Sequence, residues 1–330
     1  MNIEDFNSGC DKQQPDPRDR PYVTKFTHWT ELKDIDLRPK INTIRNQGPI
    51  SSCTAFAATA LFDHIRRKND DTNWLPSPLF TYYATRLAAK LEDQDSGATV
   101  KEVLKSTVRD GVAMERVWPY DYQKFLERPP EEAWIDAEKH QALEYLWVSD
   151  FDKNEWLNCL NDGYPFIFGM YLYTSFFDPI FTMLGGFMQE PDRETEKRVG
   201  GHCMMAVGYI KDYNGKEYVI VQNSWGEGWG DRGYCYIPMS YMMSNDTFDF
   251  WTIKLTEINA DDTDDPIVPE PVPEPPKPEP APEPVPEPPK PAPEPPAVVP
   301  VEVKPVSKIN LPFAIVILIF VMLVLLFLFS

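Results

Sequence analysis

From Asp261 to about Pro305 the chain consists mostly of Pro, Glu, Lys, Val and Ala without one aromatic residue, which confines any folded core to the residues before it. Such a stretch cannot bury enough apolar surface to offset the entropy of ordering its backbone. It is expected to be an extended linker over residues 261–310. In polyproline II, at roughly 3.1 Å per residue, about 40 such residues reach on the order of 120 Å. The N-terminal 260 residues of the 330 are long enough for a substantial core.

After the linker, Leu311 to Phe329 carries no charge and is rich in Ile, Leu, Val and Phe. Its length suits one membrane-spanning helix at about 1.5 Å rise per residue. Pro312 would fall in the first turn, where its missing N–H costs nothing. Lys304 and Lys308 precede the segment and only Ser330 follows it, so the positive-inside tendency puts the rest of the chain on the cytoplasmic side. Residues 1–21 are polar and proline-bearing, with no apolar core of a secretory signal. The expectation is a C-terminal tail anchor, with the lipid bilayer as a partner.

The formal charge of −19 is spread along the chain and offers no basic stripe, so nucleic acid is not an expected partner. The five cysteines are odd in number and lack tight paired spacing, unlike a secreted disulfide framework. Zinc held by His202, Cys203 and Cys235 is an alternative on neighbouring strands. No C-x-x-C pair accompanies them, so no metal or organic cofactor is expected.

Residues 34–260 should form one domain, preceded by an extension over 1–33. Its first half has helical periodicity: a helix begins near Cys53 with Ser52 as N-cap, and others span Pro78 to Leu91 and Thr99 to Arg109. The second half alternates as strands do. Segments 203–210 and 217–222 flank Tyr213-Asn214-Gly215-Lys216, a two-residue hairpin signal, and 234–237 and 250–255 add more strands. An α+β fold follows, with a helical lobe, a strand lobe and a cleft between them.

Chemistry-bearing residues fall in both halves, in the order Gln47, Cys53, His202, Asn223. A thiol at a helix start feels the positive end of the dipole, and a nearby imidazolium would hold it as a thiolate near neutral pH. Cys53 is therefore the expected nucleophile and His202, about 150 residues on, the base and acid. His64 is a rival, yet eleven residues along the same helix leave it about 16 Å from Cys53. Asn223 can accept from the second ring nitrogen without adding charge, and Trp225 can shield that bond from water. Gln47 would donate to a tetrahedral oxyanion together with the Cys53 backbone N–H. The aromatic stretch from Phe166 to Phe181, including Phe176 and Phe177, fits core or cleft wall.

Around these residues stand Gln47-Gly48, Ser52-Cys53-Thr54-Ala55, Gly201-His202 with Ala206-Val207-Gly208-Tyr209, and Asn223-Ser224-Trp225-Gly226 followed by Gly228-Trp229-Gly230. In them the chain resembles the papain family of cysteine peptidases over roughly Leu37 to Leu255. Ser77-Pro78-Leu79-Phe80 and Trp118-Pro119-Tyr120-Asp121 resemble the branch without signal peptides found in bacteria, archaea and large DNA viruses. The resemblance implies a papain-like two-lobe fold, peptide substrates and a Cys-His-Asn site at Cys53, His202 and Asn223. Ile50 stands where secreted members carry a cysteine, so their disulfide beside the nucleophile has no partner here. Only about 45 residues precede Gln47, too few for the family's long inhibitory prosegment, and control of activity is expected to lie elsewhere. A membrane-tethered endopeptidase is the favoured function; an idle peptide-binding scaffold and an amine acyltransferase are the alternatives.

Overall fold

The computed structural model describes residues 1–24, 33–41, 43–70 and 74–256, all within one compact unit, Met1–Pro269. The expected linker and membrane helix lie outside the described residues. Among the described residues no helix is long and apolar enough to cross a membrane.

Among the described residues nine strands are present: β1 (Cys10–Asp11), β2 (Ile35–Asp36), β3 (Ala98–Thr99), β4 (Ala142–Trp147), β5 (Phe166–Tyr173), β6 (Arg198–Tyr213), β7 (Lys216–Gln222), β8 (Tyr234–Pro238) and β9 (Thr247–Thr256). The helices are α1 (Cys53–Asp70), α2 (Pro78–Ala89), α3 (Val100–Arg109), α4 (Glu131–Ala137), α5 (Lys153–Asn161) and the short α6 (Pro179–Met183) and α7 (Met239–Met242). One seven-stranded sheet runs in the order β4-β9-β5-β6-β7-β8, with β2 paired to β6, and every pairing in it is antiparallel. The architecture is α+β, with helices packed against an antiparallel sheet.

Local chemistry explains the elements. Helix α2 starts where the Ser77 hydroxyl accepts the Phe80 N–H, and α3 where Thr99 and Glu102 form a reciprocal capping box. The hairpin between β6 and β7 turns on Asn214 and Gly215, both at positive φ (56° and 77°), which matches the right-handed strand twist. Ser52 stands at the N-cap position, its carbonyl accepting from Phe56, but its hydroxyl pairs with Tyr120 at 3.3 Å instead of capping the first turn. Strand β6 begins five residues earlier than the alternation implied, because Arg198 to Gly201 continue the ladder with β5.

Helix α1 packs its apolar face, with Ala58, Leu61, Phe62 and Ile65 fully buried, against β6 and β9. This contact brings the start of α1 to the middle of β6. The first thirteen residues, within the expected extension, pack along the junction: β1 pairs in parallel with β3, and Phe6 and Cys10 join the main core.

Candidate active site

Cys53 opens α1 and is fully buried. Helix α1 packs against β6, the strand that carries His202, and the backbone amide of Cys203, the next residue, favours a charged sulfur at Cys53. The nucleophile candidate and the imidazole-bearing strand therefore meet at the sheet–helix junction. His64 lies buried along α1, away from the helix start.

His202 sits on β6 opposite Met170 of β5 and is fully buried. Its Nε2 lies 2.8 Å from Asn223 Oδ1, and that same oxygen accepts the Ser224 backbone N–H at 2.7 Å. An amide oxygen only accepts, so Nε2 carries the ring proton and Nδ1 is left with a lone pair. Nδ1 has no hydrogen-bond partner among the described residues. The Trp225 ring lies 5.0 Å from the imidazole and covers the bond to Asn223. Phe176 and Phe177 pack on Trp225 at 5.7 and 5.4 Å, as walls of the cleft.

Gln47 is buried and pinned at both ends of its amide. Its Oε1 accepts from Ser224 Oγ at 2.6 Å, and its Nε2 donates to Ile50 O at 2.9 Å. An amide nitrogen has two hydrogens, so one donor remains for an incoming oxyanion. The loop bearing Gln47 is tied to the strand lobe by Gln47 N–H to Ser224 O and by the bridge from Asn46 to Trp225.

His202, Cys203 and Cys235 do not gather as a metal site. Cys235 lies on β8, opposite Val221 of β7, which itself faces Ala206 of β6. Among the described residues no group of three potential metal ligands comes together.

The residues that sequence reasoning missed are in the N-terminal segment. Residues 6–13 lie across the cleft as a strap, directly over Cys53. Gly9 N–H donates to Gly201 O and Gly9 O accepts from Ala98 N–H, each at 3.2 Å. Ser8 Oγ accepts from Gly201 N–H at 2.9 Å, Asn7 Nδ2 donates to Pro49 O at 2.8 Å, and Gln13 N–H donates to Asp249 Oδ2 at 2.7 Å. Phe6 stands edge-on to His202, Trp225 and Phe177, with centroids 5.9, 6.1 and 5.2 Å away. The fit depends on glycine: a Cβ on Gly9 would lie 2.6 Å from Ser51 O and 2.8 Å from Cys53 Sγ, and one on Gly201 would overlap the Cys10 carbonyl. A cavity of about 300 Å³ remains beside the strap, lined by Ser8, Cys10, Tyr171, Arg198, Gly200 and Gly201. Phe6 alone among mostly polar neighbours, with Gly9 three residues on, was the available signal.

Burial beneath this strap reverses the expected electrostatics. Loss of water pushes the Cys53 thiol well up from its ordinary value, outweighing backbone N–H donors that favour the thiolate. The same loss brings His202 down to about 4, although Asn223 opposes it. A thiolate–imidazolium pair at neutral pH was expected from the helix dipole and the neighbouring ring. In this closed arrangement both groups are neutral, because the strap removes the solvent that would support separated charges.

The comparisons with known proteins point one way. The model of the papain family cysteine proteases matches residues 32–247, well over half of the chain. This chain belongs to the papain family. Over 276 residues it is 32% identical to an uncharacterised peptidase C1-like protein of Acanthamoeba polyphaga mimivirus, covering 75% of this chain and 86% of the viral one. It is 25% identical over 207 residues to cysteine proteinase 3 of Entamoeba histolytica, spanning 61% of each chain. The crystal structure of xylellain, a cysteine protease from Xylella fastidiosa, superposes with a TM-score of 0.67 at 28% identity, covering 76% of this chain and 97% of that one. As a papain-family member the protein is a cysteine-type peptidase acting on protein or peptide substrates.

Proposed function

We propose that this peptidase is an endopeptidase tethered to a membrane through residues 311–329, facing the cytoplasm, and held closed by its own N-terminal strap. The observation that carries the catalytic assignment is the His202–Asn223 bond, which leaves the Nδ1 lone pair unused on β6, the strand against which the Cys53 helix packs. With the strap displaced, water returns and the pair can ionise. The Cys53 thiolate attacks the carbonyl carbon of a peptide bond, and the oxyanion meets Gln47 Nε2 and the Cys53 N–H. As the C–N bond breaks, His202 protonates the departing amine. Water then cleaves the thioester, giving its proton to His202 and releasing the carboxylic acid and the thiol. Asn223 holds the ring throughout, and Trp225 shields that bond.

Endopeptidase action is favoured because no loop in the sequence is marked to grip a peptide terminus. The likeness to the mimivirus protein supports placing the chain in the branch that includes large DNA viruses. The strap obstructs rather than offers itself as substrate, since the Gly9 carbonyl is committed to Ala98 and not to Gln47.

Labelling by an electrophilic peptide tests the assignment. The intact chain should be labelled and Cys53→Ala should not; labelling that survives the change moves the nucleophile elsewhere. Product analysis with an added amine separates hydrolysis from acyl transfer. For topology, protease added outside sealed vesicles should remove the catalytic domain, and full protection would reverse the orientation.

A further inference from the structure

One phenol joins the two chain segments that supply the oxyanion donors. Tyr120 lies in the Trp118-Pro119-Tyr120-Asp121 segment between α3 and α4, which the catalytic assignment leaves without a role. Its hydroxyl donates to the backbone carbonyl of Gln47 and lies 3.3 Å from Ser52 Oγ. A phenol has one proton and a carbonyl can only accept, so the proton of the second contact comes from Ser52. The bonds therefore run in series, from Ser52 Oγ to Tyr120 Oη to Gln47 O. Ser52 is fully buried and immediately precedes Cys53, whose N–H is one oxyanion donor; Gln47 carries the other. Burial pushes the Tyr120 phenol up from its ordinary value, so it keeps its proton at neutral pH.

Tyr120 is itself held in place. Its ring packs edge-on to Phe56 of α1 with centroids 4.7 Å apart, and its N–H donates to Glu115 Oε1 at 2.9 Å. Two residues on, the Tyr122 ring closes over Gly48, where a Cβ would come within 3.3 Å of it. On its other side the Gln47 N–H is tied to Ser224 O of the strand lobe. All five cysteines are free thiols, so the spacing between Gln47 and the start of α1 depends on non-covalent ties such as these.

We propose that Tyr120 is a positioning residue for the oxyanion hole: by bridging Gln47 O and Ser52 Oγ it sets the separation of Gln47 Nε2 from the Cys53 N–H. The inference rests on the reading of Cys53 as nucleophile and Gln47 as oxyanion donor. Both donors serve the reaction only when each lies about 2.7–3.1 Å from the developing oxygen. Without the phenol hydroxyl, Gln47 O and Ser52 Oγ lose their common partner, and the donors drift apart. A ground-state carbonyl asks less of them than the tetrahedral oxygen does, so the loss falls on turnover and not on binding.

The test compares the full chain with Tyr120→Phe, which keeps the ring on Phe56 and removes only the hydroxyl, and with Ser52→Ala, which removes one bond of the two. Two rates are read for each: turnover of a fluorogenic peptide amide, and alkylation of Cys53 by iodoacetamide located by mass spectrometry. Alkylation displaces iodide from a saturated carbon and forms no oxyanion. Both rates follow the fraction of molecules with the strap open, so their ratio isolates the oxyanion hole. Tyr120→Phe should lower kcat about 10-fold, less than deleting a donor outright, with KM within about twofold and alkylation unchanged. Ser52→Ala should shift the ratio in the same direction by less. In a Gln47→Ala background, where one donor is already gone, Tyr120→Phe should cost at most about threefold more. Unchanged turnover in Tyr120→Phe, an equal fall in turnover and alkylation, or the full loss repeated in the Gln47→Ala background overturns the clamp. If Cys53→Ala retains turnover, the catalytic reading itself falls; if Cys53→Ala abolishes turnover while Tyr120→Phe matches the parent chain, only the clamp falls.

Discussion

Adding one methyl group to the strap should switch the enzyme on. Gly9 has a φ outside the left-handed region, so alanine is tolerated by its backbone and the effect of Gly9→Ala is purely steric. The new Cβ would stand 2.6 Å from Ser51 O and 2.8 Å from Cys53 Sγ. Neither neighbour can retreat. The Ser51 N–H is held by Asp95 Oδ1 at 2.9 Å, and Cys53 is fixed in the first turn of α1. The strap must therefore move, at the cost of about 1–3 kcal/mol usual for overpacking a tight contact. That cost falls on the closed state alone, so it multiplies the open fraction by about 5- to 150-fold.

The assay is the rate of Cys53 labelling at low probe concentration, where the observed rate follows the fraction of open molecules. Phe6→Ala serves as a second route to the same end. It removes the ring packed on His202, Trp225 and Phe177 without touching the sulfur, and truncating a buried Phe typically costs about 3–5 kcal/mol. Both variants should label faster, and both should expose the N-terminus to an added protease sooner. Unchanged labelling in both, with the strap still protected, would refute the claim that these contacts limit access to Cys53.

Other outcomes follow from the same geometry. Gln47→Ala should lower turnover of a peptide substrate by about 10²- to 10³-fold while leaving labelling by a reactive probe less affected. His202 is brought down to about 4 in the closed form from an ordinary value near 6.5, so the open form binds its proton more readily; closure is fully favoured above about 6.5 and loses stability as pH falls toward 4. Strap protection against an added protease, measured in a Cys53→Ala background, should therefore fall as pH drops from about 6.5 toward 4, and His202→Gln should remove that dependence. Asn223→Ala should cut turnover while labelling retains part of its rate, because it loosens the ring and leaves the sulfur in place.

Four polar residues could be named as candidates from the sequence because each chemical role demands a residue type and the chain supplies them in one workable order. The helix starting at Cys53 was legible from the spacing of Phe56, Ala60, Leu61 and Ile65, and the hairpin from Asn214-Gly215. The strap was not. Asn7, Ser8 and Gly9 bind through backbone and short polar groups, which leave no periodicity, and the pairing of β1 with β3 joins two-residue strands almost ninety positions apart. The protonation states were hidden for the same reason. A helix dipole and a neighbouring imidazole are visible in sequence, whereas the desolvation that overrides them comes from the strap.

That override explains how so short a segment can silence the site. A thiolate–imidazolium pair needs water or fixed dipoles around both charges, and the closed arrangement supplies only part of this: the Cys203 and Thr54 amides and its own for Cys53, one carboxamide oxygen for His202. Phe6 and the backbone of Gly9 displace the remaining solvent, so the proton stays on sulfur and the base stays neutral. The strap thus acts on the nucleophile twice. It blocks the approach of a peptide and it removes the charge state in which an approaching peptide would be attacked. A longer prosegment would add area to the first effect but nothing to the second, which depends only on what touches Cys53 and His202. Inhibition by residues 6–13 therefore does not require the large interface that a separate inhibitory domain provides.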